Sequence, residues 1–270
     1  MRALVFTSRN IKELLRNPLS YLFCLGMPLV MLIVMTLINA SIPKPEIPAD
    51  AKLFNISLTE TTETTKVFNI EMLTPAIAIF GLTFIMLFSC IAVSSDRTSD
   101  FLTRLYASPM KSTDFIIGYT LPFAIIAAVQ IVITFIAGEI ISLIVKGESF
   151  NIGYMLLSLP LFIPAVILFI GIGIFFGTLL NEKAAPGVCS AVITAAAILG
   201  GIWMDIDTMG DAWVAVCSCL PFYHSVKAAR CALAGDFGGM IVPLMITAAF
   251  AAVIFAASAL IFAHKSKADK

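Results

Sequence analysis

Thr74-Pro-Ala-Ile-Ala-Ile-Phe-Gly-Leu-Thr-Phe-Ile-Met-Leu-Phe-Ser-Cys-Ile-Ala-Val93 carries no charge and then changes character. It is followed at once by Ser94-Ser-Asp-Arg-Thr-Ser-Asp-Phe-Leu-Thr-Arg-Leu-Tyr-Ala-Ser-Pro109. The first part has the roughly 20 apolar residues that a spanning helix needs. The second reads as an amphipathic helix over 94–112. Phe101, Leu102, Leu105 and Tyr106 fall on one face, and Arg97, Asp100 and Arg104 on the other. Asp96 and Asp100 sit near its start, where the helix dipole favours anions, and Pro109 prevents clean continuation. A spanning helix that leads into one short charged helix is a device for touching something in water.

Composition supports a membrane setting for the rest. Hydrophobic residues make up 60 % of the 270, charged residues only 13 %, and mean hydropathy is +1.00. A soluble domain needs about a quarter charged residues to keep its surface wet. Formal net charge is zero, which removes nucleic acid as a plausible partner. Six apolar runs are expected to span: Leu19–Ala40, Thr74–Val93, Phe115–Val145, Gly153–Leu180, Gly187–Met204 and Met240–Ala263. The chain is thus read as all-α, one polytopic permease domain over 1–270 with six transmembrane helices. The first run starts only at Leu19 and covers about 22 residues, longer than the apolar core of a cleaved signal peptide.

Loop charges orient the chain. With the N-terminus inside, the inner positions are Arg2, Arg9, Lys12, Arg16, Arg97, Arg104, Lys111, Lys183, Lys265, Lys267 and Lys270. Lys44, Lys52, Lys66, Lys146, Lys227 and Arg230 fall outside, 11 against 6. This predicts a multi-pass protein of the plasma membrane with both termini cytoplasmic and the 94–112 helix on the same side. Residues 1–18 form a second amphipathic helix. Leu4, Val5, Ile11, Leu14 and Leu15 make its apolar stripe, with Arg9, Lys12, Glu13 and Arg16 facing away into the lipid headgroups.

The external segment 205–239 is the hardest to place. Ala212–Leu220 is too short to cross and too apolar to lie free in water, so a re-entrant pair of helices around Pro221 is expected, ended by Gly235. Pro221, Tyr223, Lys227 and Arg230 would then sit at an outer gate. Lys227 and Arg230 run against the charge rule there, and Asp205, Asp207, Asp211 and Asp236 are the acidic residues available to accommodate them. In the fourth run, Gly173-x-x-x-Gly177 predicts close helix contact. Glu139 is the clearest ionisable residue inside a span, although Lys146 is close enough to draw it to the interface.

No catalytic constellation is present, so the chain is not expected to be an enzyme. His224 and His264 stand in no recognised triad, and Cys217, Cys219, Cys231 and His224 match no strong zinc spacing. The phosphate loop Gly-x4-Gly-Lys-Ser/Thr is missing, and ionisable groups at mid-membrane are nearly so. Transport energy would have to arrive through the cytoplasmic face.

Three features occur in a telling order: Arg16-Asn17-Pro18 before the first span, Asp96 to Pro109 after the second, and Leu220-Pro221 to Gly235 before the last. Together they resemble the membrane subunit of type-2 ATP-binding-cassette exporters, the drug-export-like permeases. That family's segment usually reads acidic-Arg-x-x-Gly-Thr-Leu-Glu-x-Leu-Leu-Ala-Ser-Pro. Asp96, Arg97, Leu102, Leu105, Ala107, Ser108 and Pro109 match it, whereas Ser99 replaces Gly and Thr103 replaces Glu. The resemblance implies that 94–112 is a coupling helix docking an ATPase on a separate chain through Asp96, Arg97, Asp100, Phe101, Leu102, Arg104, Leu105 and Pro109. ATP and Mg would be bound by that partner and no cofactor by this chain. It also implies a second permease copy or paralogue. Because a single six-span bundle shows neither an internal repeat nor a polar pathway in its sequence, the route is expected to run between two copies, lined by the first, second and fifth spans; Phe23, Met27, Phe84, Phe88 and Met204 are the lining candidates. A secondary transporter or channel not coupled to ATP is the alternative.

Overall fold

The computed structural model describes residues 2–41, 69–98, 112–145, 147 and 149–268. Among these, no strand occurs and ten helices do: α1 (Arg2–Arg16), α2 (Pro18–Ser41), α3 (Ile70–Thr98), α4 (Ser112–Val145), α5 (Ile152–Leu161), α6 (Ile163–Leu179), α7 (Ala185–Leu199), α8 (Asp211–Ser218), α9 (Pro221–Ala234) and α10 (Phe237–Ala268). We call the end holding α1 proximal and the end holding α8 and α9 distal.

Among the described residues, five segments are long and apolar enough to cross a membrane: Pro18–Ser41, Ile70–Arg97, Phe115–Val145, Ile152–Leu179 and Phe237–Ile261. The fifth expected span falls short. It was expected over Gly187–Met204, but α7 stops at Leu199, because Gly200 closes the helix and Gly201 takes φ +69°. Its 15 residues rise about 22 Å against a hydrocarbon core of about 30 Å. The fourth segment is broken at Phe162, where Pro160 and Pro164 flank the junction and interrupt the backbone ladder. The first contains a π turn, Leu22–Gly26, just before Pro28.

The centre of the bundle is α3. Of its most apolar stretch 78 % is buried, against 17 % for the first and last spans, so α3 sees protein on nearly every side. Its closest neighbour is α6. A Cβ on Gly173 would stand 1.8 Å from Ser89 Oγ and 2.5 Å from the Met86 carbonyl oxygen; one on Gly177 would stand 2.7 Å from the Cys90 carbonyl oxygen. The predicted small-residue face therefore lets two backbones touch, which is the packing that lipid-embedded helices rely on. On the other flank, Gly81 leaves room for the Gln130 amide of α4.

Candidate functional site

At the proximal end, α3 runs on through Thr98, so Ser94 to Thr98 are the last turn of the central helix rather than the start of a separate one. Asp96 is 7 % exposed. Its carboxylate takes a bidentate pair from Arg9, with Nη1 and Nη2 donating at 3.0 and 2.9 Å, and a third bond from the Tyr119 hydroxyl at 2.7 Å. Arg9 also pairs with Glu13 at 3.0 Å and lies over the Phe6 ring. The stripe expected on α1 is thus rotated. Arg9 does not face away; Phe6, Thr7 and Asn10 are buried, Phe6 against Phe115 and Tyr119, and Asn10 Nδ2 donates to the Gly118 carbonyl at 2.9 Å. A Cβ at Gly118 would collide with the Phe6 ring at 2.1 Å, so this glycine admits α1 to the bundle.

Arg97 turns the other way, toward α6. Its Nη1 donates to the carbonyls of Gly177, Thr178 and Leu180 at the C-terminus of that helix. A cation there satisfies orphan carbonyls and complements the helix dipole. Asp96 and Arg97, two expected docking residues, thereby anchor the last turn of α3 to α1, α4 and α6. Asp100, Phe101, Leu102, Arg104, Leu105 and Pro109 lie outside the described residues. Beside the joint, Asn10, Ser20, Phe88, Asp96, Tyr119 and Glu182 help line a cavity of about 240 Å³.

At the distal end, Lys227 Nζ donates to Asp207 Oδ2 at 3.0 Å and to the Tyr223 hydroxyl at 2.7 Å, and Tyr223 donates to Asp207 Oδ1. Burial pushes the Asp207 carboxyl up, but the Tyr223 and Lys227 hydrogen bonds and the Lys227 charge outweigh it and hold it below the usual carboxylate range. Burial likewise pulls Lys227 down, and Tyr223 and Asp207 more than reverse it. Of the four acidic residues available in the sequence, Asp207 is the one that meets Lys227. Arg230 is met mainly by backbone, Nε donating to the Met72 carbonyl at 3.2 Å and Nη2 to that of Ile202 at 3.4 Å. The helix expected after Pro221 is α9, and Gly235 ends it in the left-handed conformation at φ +75°. Pro221 and Tyr223 are buried rather than at a rim. Asp205, Asp207, Tyr223, Lys227 and Arg230 surround a cavity of about 220 Å³.

Between the ends, three lining candidates come together. Phe23 stacks on Phe84 at 6.2 Å and meets Phe88 at 6.2 Å; Phe84 continues to Phe80, and Phe80 to Trp203, at 5.3 Å each. Met27 and Met204 are half-buried. Sequence reasoning missed Phe80 and Trp203, although Phe80-x3-Phe84-x3-Phe88 repeats every four residues on one helix face. It also missed Gln130, 1 % exposed, which donates weakly to the Ala78 carbonyl and to Thr134 while its Oε1 has no partner among the described residues. Its signal was available, as Gln130 is the sole carboxamide in the third apolar run. Glu139 accepts from the Phe150 amide at 2.8 Å and so pins the loop ahead of α5. His224 Nε2 sits 2.9 Å from the Ser218 carbonyl, which joins α8 to α9. Among the described residues, no three His, Cys, Asp or Glu side chains gather as metal ligands.

A family model described as ABC-2 type transporter matches residues 2–233, from α1 through α9. No curated protein matches the chain.

Proposed function

Because this chain belongs to the ABC-2 type transporter family, we propose that it is the permease subunit of an exporter powered by ATPase subunits on separate chains. One observation supports this most. The most deeply buried helix, α3, spans the full height of the bundle and delivers its last turn, clamped through Asp96 and Arg97, directly to residues 99–111. A push delivered to the last turn at Thr98 therefore travels to the core along one continuous helix. In this reading the proximal end and both termini are cytoplasmic in the plasma membrane. Phe101, Leu102 and Leu105 form the apolar docking face, Asp100 and Arg104 flank it, and Pro109 ends the helix. ATP and Mg belong to the ATPase.

The substrate leaves by the distal end. The aromatic row from Phe88 to Trp203 lines its route, with a second copy or paralogue on the other side. Tyr223, Lys227 and Arg230 on α9 form the outer closure with Asp207. Arg9, Asp96 and Tyr119 hold the coupling end in register.

The test is association. Leu102→Glu combined with Leu105→Glu is expected to abolish co-purification of the ATPase subunit and of ATP hydrolysis with the permease, while membrane insertion and thermal unfolding stay as in the wild type. Undiminished co-purification from equal amounts of folded variant contradicts the docking reading.

A further inference from the structure

We infer that the distal cavity between α9 and the turn at 205–208 binds a zwitterion carrying a primary ammonium and a phosphate, supplied by an aminophospholipid headgroup. The inference goes beyond transport and stands without the ATPase reading.

The argument starts from how the charges around this 220 Å³ space are spent. Lys227 and Asp207 consume each other, with Tyr223 closing the triangle. Two opposite charges remain. Arg230 gives Nε and one Nη2 hydrogen to the carbonyls of Met72 and Ile202, which leaves Nη1 without a partner among the described residues. Asp205 spends one oxygen on the Asp207 amide at 3.3 Å, as the cap of the short turn Ile206–Thr208, and keeps the other. The two sense each other's field, yet no ion pair within 4.0 Å joins them among the described residues. They face the same cavity from two walls, a cation from α9 and a carboxylate from the turn.

A half-buried guanidinium and a half-buried carboxylate held apart each lack the compensation that burial demands. A simple anion would satisfy Arg230 but meet Asp205 and Asp207. A simple cation would satisfy Asp205 but meet Lys227 and Arg230. A molecule with both charges satisfies both walls. The planar guanidinium suits phosphate oxygens, and a carboxylate oxygen suits an ammonium that has N–H bonds to give; a quaternary ammonium has none. The rest of the lining argues for a lipid source. Met72, Ile206 and Val226 put apolar surface in the cavity, which lies at the first turn of α3, the level where a spanning helix leaves hydrocarbon for headgroups.

The test uses the full-length permease in nanodiscs of phosphatidylcholine, doped with phosphatidylethanolamine or phosphatidylglycerol, and reads the thermal unfolding midpoint. Binding to the folded state raises that midpoint by linkage. Phosphatidylethanolamine is expected to raise it by about 2–4 °C over phosphatidylcholine alone, the shift usual for a modest ligand on a chain of this size. N-methylation of the headgroup should erode the gain stepwise. Arg230→Gln and Asp205→Asn should each abolish it; Asp205→Asn keeps an oxygen for the cap, so it reports on the site even if Arg230→Gln unfolds. Equal gain from phosphatidylglycerol, or full gain in a folded Asp205→Asn protein, overturns the proposal. Gain from millimolar phosphoethanolamine in pure phosphatidylcholine nanodiscs overturns the lipid source and leaves the ligand chemistry standing.

Discussion

Each end of the bundle carries the same three groups, a carboxylate, a base and a tyrosine hydroxyl, in opposite surroundings. At the proximal end the Asp96 side chain is 10 % exposed and Arg9 35 %, and the pairing is bidentate. At the distal end Asp207 is 49 % and Lys227 39 % exposed, and one lysine nitrogen serves both partners. Burial decides what such a triad is for. Water competes for the Lys227–Asp207 pair of the exposed one, so it opens cheaply, whereas the buried one has no substitute for a lost partner. In the proposed reading the proximal triad is a fixed joint and the distal triad a latch.

The largest effect should come from the spine to which both are attached. Gly173→Val puts side chain where Ser89 and the Met86 carbonyl already are, so α3 and α6 must separate. Yield of folded protein on size exclusion should collapse, and a normal yield would show that the two helices need not touch. Next is the joint. Arg9→Ala leaves the Asp96 carboxylate buried with only its remaining donors and should cost about 3–5 kcal/mol in reversible unfolding. Asp96→Ala should cost less, because Arg9 keeps Glu13 and partial access to water. The reverse ranking would mean that Asp96 reaches solvent.

Lys227→Met at the latch should stay within about 1 kcal/mol. Its pH response is smaller still but has a definite sign. Asp207 is held below its usual range, so its contribution is present at neutral pH and is lost as pH falls through that depressed value. Lys227 is held above its usual value, so its share persists until pH rises past that. Unfolding midpoints of Lys227→Met and wild type should therefore differ by a constant amount from about pH 5 to pH 9 and converge only outside it. Convergence inside that window would assign the latch to other groups.

The α9 helix at the distal end was legible in the sequence because its signals are local. Pro221 at the first turn of α9 and Gly235 past its end bracket that helix. Gly173-x-x-x-Gly177, toward the proximal end of α6, marked the α3–α6 contact in the same local way. The proximal joint was not legible. Arg9 and Asp96 are 87 residues apart, and a stripe drawn by hydropathy alone put Arg9 on the outer face of α1. Thr7 and Asn10, polar and small, occupy the buried face there, where Asn10 spends its amide on a backbone carbonyl exposed by Gly118. Hydropathy also overextended the fifth apolar run, since it does not register that Gly200 and Gly201 end a helix inside apolar sequence.

Double-mutant cycles on the two triads test the contrast between joint and latch most directly. Arg9→Met and Asp96→Asn, singly and together, give one coupling energy; Lys227→Met and Asp207→Asn give the other, all by equilibrium unfolding in the same detergent. The account predicts about 2 kcal/mol or more at the proximal pair and less than about 1 kcal/mol at the distal pair. Equal couplings, or the larger one at Lys227 and Asp207, would contradict it.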